Sequence, residues 1–285
     1  MSRNGWLRRL LRKLWLASVG WSLSSGQEAW PAWAPAAGRG PALRMSLGTT
    51  PAGAENERQA SAWVRGMFGR IAPRYDLLNH LLSLNVDRYW RARTVSRLRP
   101  ILSRPGALVL DVCCGTGDLT LALNARSRSA HVFGSDFCHP MIAKANAKMA
   151  NGRWFEADAL QLPMADGSFD LVTTAFGFRN LANYSAGLKE LGRILKTGGT
   201  LAILEFSTPP NALLASAYGF YSRAILPSIG GIISGSKDAY TYLPESVRKF
   251  PDADGLAEQM RDAGFGNVRF ERMTAGIVAL HLGDR

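Results

Sequence analysis

Between residues 107 and 206 the chain alternates short apolar runs with stretches of helical length. The runs fall at 107–112, 131–136, 153–156, 169–176 and 200–206, and helical stretches such as 140–149 and 185–195 separate them. Parallel strands need a long crossover between them, usually a helix. The alternation therefore predicts an α/β fold with a mostly parallel sheet covered by helices on both faces. The C-terminal end breaks the rhythm. Residues 267–273 and 276–282 are two strand-like runs with only Thr274 and Ala275 between them, the pattern of an antiparallel hairpin. Upstream, 60–68, 77–84 and 87–98 read as helices, interrupted at Pro73, which cannot continue a helix.

Hydrophobic residues make up 47% of the chain and charged residues 20%, a globular balance. The formal net charge of +12 would suit nucleic acid or an anionic surface. However, residues 1–44 carry seven basic residues and one acid, half of that charge, with five of the eight tryptophans. The rest has an ordinary surface and gives no argument for nucleic-acid binding. Trp6, Leu7, Leu10, Leu11, Leu14 and Trp15 recur at helical spacing, with Arg8, Arg9, Arg12 and Lys13 between them. That is a short basic amphipathic pattern, followed by Gly, Pro and Ala to residue 42. A targeting segment, a membrane-surface anchor and an upstream start codon, with Met45 opening a shorter chain, all fit it. No run reaches the roughly 18 to 20 apolar residues of a membrane span. The three cysteines, Cys113, Cys114 and Cys138, form no C-x-x-C pair, which points to a reducing, cytoplasmic compartment. With four scattered histidines they do not suggest a metal site. The organisation expected is a basic extension over 1–56 without a fold of its own and one domain over 57–285. That domain divides into a helical lid, 57–100, and a core, 101–285, carrying an insertion at 212–245.

The turn after the first run reads Asp111-Val112-Cys113-Cys114-Gly115-Thr116-Gly117-Asp118 and opens a helix. Glycines there let the backbone approach a ligand and expose its amides. Asp136 ends the second run, 21 residues after Gly115, where an acid can accept hydrogen bonds from ribose hydroxyls. Asp158 and Ala159 follow the third, where a carboxylate and a backbone amide can read an adenine edge. A third glycine is missing, which leaves little for a pyrophosphate and argues against NAD. Asp111, before the glycines, can face a cationic methionyl group. The set favours S-adenosylmethionine.

With Phe176-Gly177-Phe178-Arg179-Asn180 and Arg193-Ile194-Leu195-Lys196-Thr197-Gly198-Gly199, these segments resemble a class I methyltransferase. More narrowly, the chain resembles the quinone C-methyltransferases of menaquinone and ubiquinone biosynthesis. That likeness rests on Met67-Phe68-Gly69-Arg70-Ile71-Ala72-Pro73-Arg74-Tyr75-Asp76-Leu77-Leu78-Asn79, Leu204-Glu205-Phe206-Ser207, Tyr242-Leu243-Pro244-Glu245-Ser246-Val247 and Gly276-Ile277-Val278-Ala279-Leu280-His281. Cys113 and Thr197 depart from the glycine and proline common at those places. The resemblance implies a Rossmann-like seven-stranded sheet with an antiparallel last strand. It also implies a cofactor site of Tyr75, Asp111, Gly115, Thr116, Gly117, Asp136, Asp158, Ala159 and Ala175.

Methyl transfer to an aromatic carbon needs an electron-rich ring, so the expected substrate is a reduced polyprenylated quinol rather than a quinone. The protein must hold carbon and methyl at near-attack distance, stabilise a phenolate and accept a proton. Arg179 and Asn180, past the fourth strand, suit the phenolate, although arginine is too basic to take the proton. Tyr242 and His281 are the other substrate-side candidates, and Glu205 is placed to orient a donor. The apolar stretch 212–236 suits a channel for the prenyl tail or a surface against the inner membrane. A homodimer and a quinone-synthesis complex are both compatible with this reading. A nucleic-acid N-methyltransferase would carry Asn/Asp-Pro-Pro-Tyr where this chain has Ala175-Phe176-Gly177-Phe178. A silent S-adenosylmethionine-binding subunit is a further alternative, and naphthoquinol and benzoquinol rings both remain open, with the bacterial style of the sequence leaning to the first.

Overall fold

The run 108–112 is apolar except for Asp111 near its end, as a strand covered on both faces must be. In a computed structural model it forms β1, Leu108–Val112, with Val109 and Leu110 fully buried. The structure describes residues 48, 49, 51, 53–127, 129–220 and 237–285. The readings of the extension up to residue 47, and of 221–236 within the apolar stretch, lie outside these residues. The described residues fall in one compact unit, Ser46–Arg285.

Strands β2 (His131–Asp136), β3 (Arg153–Glu156), β4 (Phe169–Ala175), β5 (Leu195–Phe206), β6 (Gly266–Met273) and β7 (Val278–Asp284) complete a seven-stranded sheet. Its order is β3-β2-β1-β4-β5-β7-β6. The pairs β1–β2, β2–β3, β1–β4 and β4–β5 are parallel, while β7 is antiparallel to both neighbours. The chain therefore runs outward from β1 to β3 and returns to the other side of β1 with β4. That reversal makes the carboxyl ends of β1 and β4 the expected ligand crevice.

The helices are α1 (Glu57–Ile71), α2 (Tyr75–Leu82), α3 (Val86–Leu102), α4 (Asp118–Arg126), α5 (His139–Lys148), α6 (Tyr184–Ile194), α7 (Ala212–Phe220), α8 (Lys237–Lys249) and α9 (Ala253–Asp262). Asn56 caps α1 by accepting from the Gln59 amide at 2.9 Å. Pro73 sits in a 3₁₀ turn, Ala72–Arg74, between α1 and α2. Leu84 and Asn85, both left-handed, separate α2 from α3. On one face of the sheet Leu110, Val172, Leu201 and Ile203 pack against Leu188 and Leu191 of α6 and Leu256 and Met260 of α9. Burial of each such side chain stabilises the fold by about 1.5–3 kcal/mol.

Several boundaries differ from the sequence pattern: the last strand lies at Val278–Asp284 rather than 276–282, and the helices expected at 60–68 and 87–98 run over Glu57–Ile71 and Val86–Leu102. Strand β5 begins at Leu195, not 200, because buried Leu195 pairs with Phe169 and a register shift before Leu171 absorbs the residues between. Residues before 57 also pack on the domain. The Thr49 amide donates to the Leu181 carbonyl at 2.8 Å, and its hydroxyl lies 2.8 Å from that of Tyr242.

Candidate functional site

After β1 the backbone turns sharply, with Cys113 at φ 54°, Gly115 at 55° and Gly117 at 85°. This is the left-handed region, where glycine is strain-free and a side chain is not. The usual glycine in place of Cys113 thus has a conformational reason. Gly117 is also wedged sterically, since a Cβ there would come within 2.7 Å of the Trp154 ring. The turn delivers the Gly115 amide to Asp136 Oδ2 at 2.9 Å, and the Cys138 amide donates to Oδ1 at the same distance. Burial raises the Asp136 pKa to about 6, although both amides pull it down.

Asp136 stands in the wall of a small cavity, about 50 Å³, with Phe137, Met141, Asp158 and Ala159. Each Asp136 oxygen takes one of these amide bonds and keeps acceptor capacity for a hydroxyl. Asp158 uses Oδ1 to accept from the Leu160 amide at 2.9 Å. Flat apolar walls with two carboxylates at the rim fit the adenosine half of S-adenosylmethionine. Asp111, at the far end of the glycine turn, is fixed by the hydroxyls of Thr120 and Thr173 at 2.6 and 2.8 Å. Burial lifts it to about 6 as well, and a sulfonium or ammonium beside it would favour its charged form.

A second cavity, about 460 Å³, shares Tyr75, Cys113, Gly115 and Phe176 with the first, so the two are chambers of one cleft. Asp111, Thr116 and Ala175 also line it. Its walls are largely apolar. Trp90, Phe176 and Phe206 form an aromatic group with ring centroids 4.9 to 6.2 Å apart. Leu214, Leu243 and Ile277 continue the surface. The chemistry available is thus a nucleoside chamber opening onto a hydrophobic one large enough for a ring.

Arg179 is the buried cation of the large chamber, 4% exposed, on a 3₁₀ turn (Phe178–Asn180) just beyond β4. Its Nη1 donates to Glu205 Oε1 at 2.8 Å and to the Phe176 carbonyl, and its amide to Glu205 Oε2 at 3.3 Å. Burial disfavours the guanidinium charge, but Glu205 outweighs that and holds it charged. Nε is buried without a hydrogen-bond partner. Glu205, 1% exposed, is thereby the residue that orients Arg179.

The remaining candidates are dispersed. Asn180 lines the small chamber and accepts from the Tyr242 hydroxyl at 2.9 Å. Tyr242 lines neither chamber; it is clasped between Thr49, Asn180 and the Trp63 ring, and steadies Asn180 from behind. His281 is not brought to the cleft. It is 2% exposed on β7, its Nε2 lies 2.8 Å from the Ala253 carbonyl, and burial lowers its pKa to about 4. A neutral imidazole in that position has no path to a ligand proton. Gly117 lines neither chamber and acts through the shape of the turn.

Three parts of the cleft were not marked by the sequence reading. Trp90 and Arg91 of α3 line the large chamber. Arg91 pairs with Asp87 and lies 3.4 Å from Asp118, so its charge sits among the acids at the α4 start. His80 joins Asp87 and Asp118 in a tight cluster, where Arg91 provides the positive charge. Asp76, next to the expected Tyr75 that lies between the chambers, accepts from Thr116 and pairs with Lys148 at 2.8 Å. Lys148 also reaches Asp118 at 2.7 Å, so α2 is tied to the glycine turn. The Asp87/Arg91 spacing of four was a visible signal for the first group. The Asp76 tie spans 40 residues and had none.

The sequence profile of the ubiE/COQ5 methyltransferase family matches residues 54–285. A demethylmenaquinone methyltransferase of Thermus thermophilus is 49% identical over 223 residues, 77% of this chain and all of that protein. A ubiquinone/menaquinone biosynthesis C-methyltransferase of Cereibacter sphaeroides is 39% identical, covering 80% of this chain and 92% of its own. Among solved structures, an S-adenosylmethionine-dependent methyltransferase of Thermotoga maritima aligns over 78% of this chain and 99% of its own. Its TM-score is 0.57 at 19% identity, a likeness of fold alone.

Proposed function

Because the chain belongs to the ubiE/COQ5 methyltransferase family, we propose that it C-methylates a polyprenylated quinol ring, converting demethylmenaquinol to menaquinol. The observation that carries the reading is the pair of chambers meeting at Tyr75, Cys113, Gly115 and Phe176, with Arg179 on the apolar side. S-adenosylmethionine supplies an electrophilic methyl group and carries away the electron pair of the broken sulfur–carbon bond. Asp136 and Asp158 hold its adenosine, Asp111 faces its cationic end, and the turn around Gly115 aligns it.

On the substrate side the ring lies against Trp90, Phe176 and Phe206, which exclude water. A ring carbon ortho to a phenolate attacks the methyl group, the sulfur keeps the electron pair of the broken bond, and the ring carbon then loses its proton, released to solvent, to restore the aromatic ring. The Arg179 guanidinium stabilises the phenolate, and Glu205 keeps it aimed. Such a donor in a water-poor site is worth about 10²–10³ in rate. The higher identity to the demethylmenaquinone enzyme favours a naphthoquinol over a benzoquinol. The prenyl tail implies that substrate arrives from a lipid surface.

The deciding experiment supplies demethylmenaquinone and labelled S-adenosylmethionine with and without dithionite. Label should enter the ring only after reduction. Equal transfer to the unreduced quinone, or none to either form, would remove the mechanism.

A further inference from the structure

Six large hydrophobic side chains are exposed among the described residues: Leu77, Leu81, Leu84, Tyr89, Leu213 and Leu214. All six lie on α2, the α2–α3 turn, the start of α3 and the start of α7. They are not scattered as ordinary surface leucines are. Two of them, Leu84 and Leu214, also line the 460 Å³ apolar chamber. The exposed apolar face is therefore continuous with the wall of the substrate chamber. Leu77, Leu81 and Leu84 recur at spacings of four and three, one face of a helix and its end.

The charges on this face point to the kind of partner. Between residues 77 and 89 the only acid, Asp87, is buried under Arg91, and the exposed charge is Arg88. Residues 211–216 (Asn-Ala-Leu-Leu-Ala-Ser) carry no charge. Leucines that project, an aromatic with a polar tip and an arginine able to snorkel form the composition of a membrane-interface contact. An exposed apolar face without an acid suits a lipid surface, anionic lipid above all.

We propose that α2, the α2–α3 turn and the start of α7 form a lip that inserts into the headgroup region of a bilayer. A lipid-dissolved ring then passes between Leu84 and Leu214 into the chamber without crossing water. This rests on the quinol reading above. The lip acts as a positioning surface, since Leu77, Leu81 and Leu213 line neither chamber.

The test is co-sedimentation of the full chain with vesicles of phosphatidylcholine, alone and with phosphatidylglycerol. Leu77→Glu/Leu81→Glu and Leu213→Glu are compared with the parent. The parent should pellet with vesicles, more so with the anionic lipid. Each variant should lose about tenfold or more in partition, from the loss of buried apolar area and the added charge. Methylation of a reduced, tail-less naphthoquinol should stay within about twofold of the parent. Methylation of a long-tailed quinol in vesicles should fall with partition. Unchanged partition in both variants overturns the lip. So does partition unchanged while sedimentation velocity shows a dimer dissolved by the substitutions, since the face would then join two copies. Failure of the parent on the tail-less quinol strikes the quinol reading instead, and the vesicle arm still reads the lip.

Discussion

Replacing Arg179 separates its structural role from its chemical one. In Arg179→Met the Glu205 carboxylate, 1% exposed, loses its only cationic partner among the described residues and keeps the backbone amides of residues 179 and 206. Removing one member of a buried ion pair costs about 3–5 kcal/mol. Part of that cost is avoidable by protonation. Burial already raises Glu205, Arg179 counters it, and without the guanidinium the native pKa climbs further. The folded state then binds the proton more tightly than the unfolded chain, so stability falls as pH rises through the native value. The loss should be larger at pH 8 than at pH 5, by about 1.4 kcal/mol for each unit of further rise. Arg179→Met/Glu205→Leu removes both charges and should recover most of the stability, because a hydrophobic replacement of a buried pair is often neutral. It should recover none of the activity, about 10²–10³ below the parent in single turnover. Urea titrations at both pH values, alongside single-turnover methylation of reduced substrate, measure the two effects independently. A loss under about 1 kcal/mol at pH 8 would show that the pair is hydrated. Activity regained in the double variant would show that the phenolate is stabilised elsewhere.

Asp136→Ala should weaken S-adenosylmethionine by about 1.5–3 kcal/mol by calorimetry without unfolding the domain. In the parent the same affinity should fall as pH drops below about 6, where Asp136 takes up its proton. His281, lowered to about 4 from an ordinary 6.5, is held neutral by the fold, while the unfolded chain charges first. The His281 contribution to stability should therefore fall by about 3 kcal/mol as pH goes from 6.5 to 4, against the opposite contribution of Asp111 and Asp136, whose raised values favour the fold as pH drops. His281→Phe should remove that component from the pH dependence of denaturation midpoints. A chain starting at Met45 should fold and turn over like the full chain, since the compact unit begins at Ser46; aggregation, or inactivity on detergent-solubilised quinol, would contradict this.

Most of the sheet was legible because parallel strands buried on both faces must be apolar runs. Residues 131–136 and 153–156 match β2 and β3 end for end. The start of β5 was not legible. Lys196 to Gly199 reads as a turn, and the pairing of Leu195 with Phe169 and of Gly198 and Gly199 with Arg285 makes it strand. The acids Asp136 and Asp158 were readable as ends of runs, and a run's carboxyl end in such a sheet has one place to be. Tyr242 and His281 show the limit. Their residue types suit proton chemistry, but β-strand alternation and helix rotation decide whether a side chain meets the cleft or the far layer. His281 faces α9, where its imidazole meets the Ala253 carbonyl. Trp90 and Arg91 sit on a helix of mixed polarity, so their entry into the chamber follows from how α3 packs, not from local pattern.

The antiparallel strand β7 has a consequence for how the protein comes into being. It is last in sequence, yet it lies between β5 and β6 and pairs along both edges. Until residues 278–284 leave the ribosome, β5 has an open edge and β6 has nothing to join. The five strands from β3 to β5 can assemble as synthesis proceeds at about 5–20 residues per second, but the sheet closes only once residues 278–284 have emerged. During that interval the edge of β5, with Ala202, Ile203 and Leu204, is an apolar template open to any other strand. A break just before residue 278 would thus act far beyond the seven residues of β7, leaving a nearly complete domain with a sticky seam in its middle.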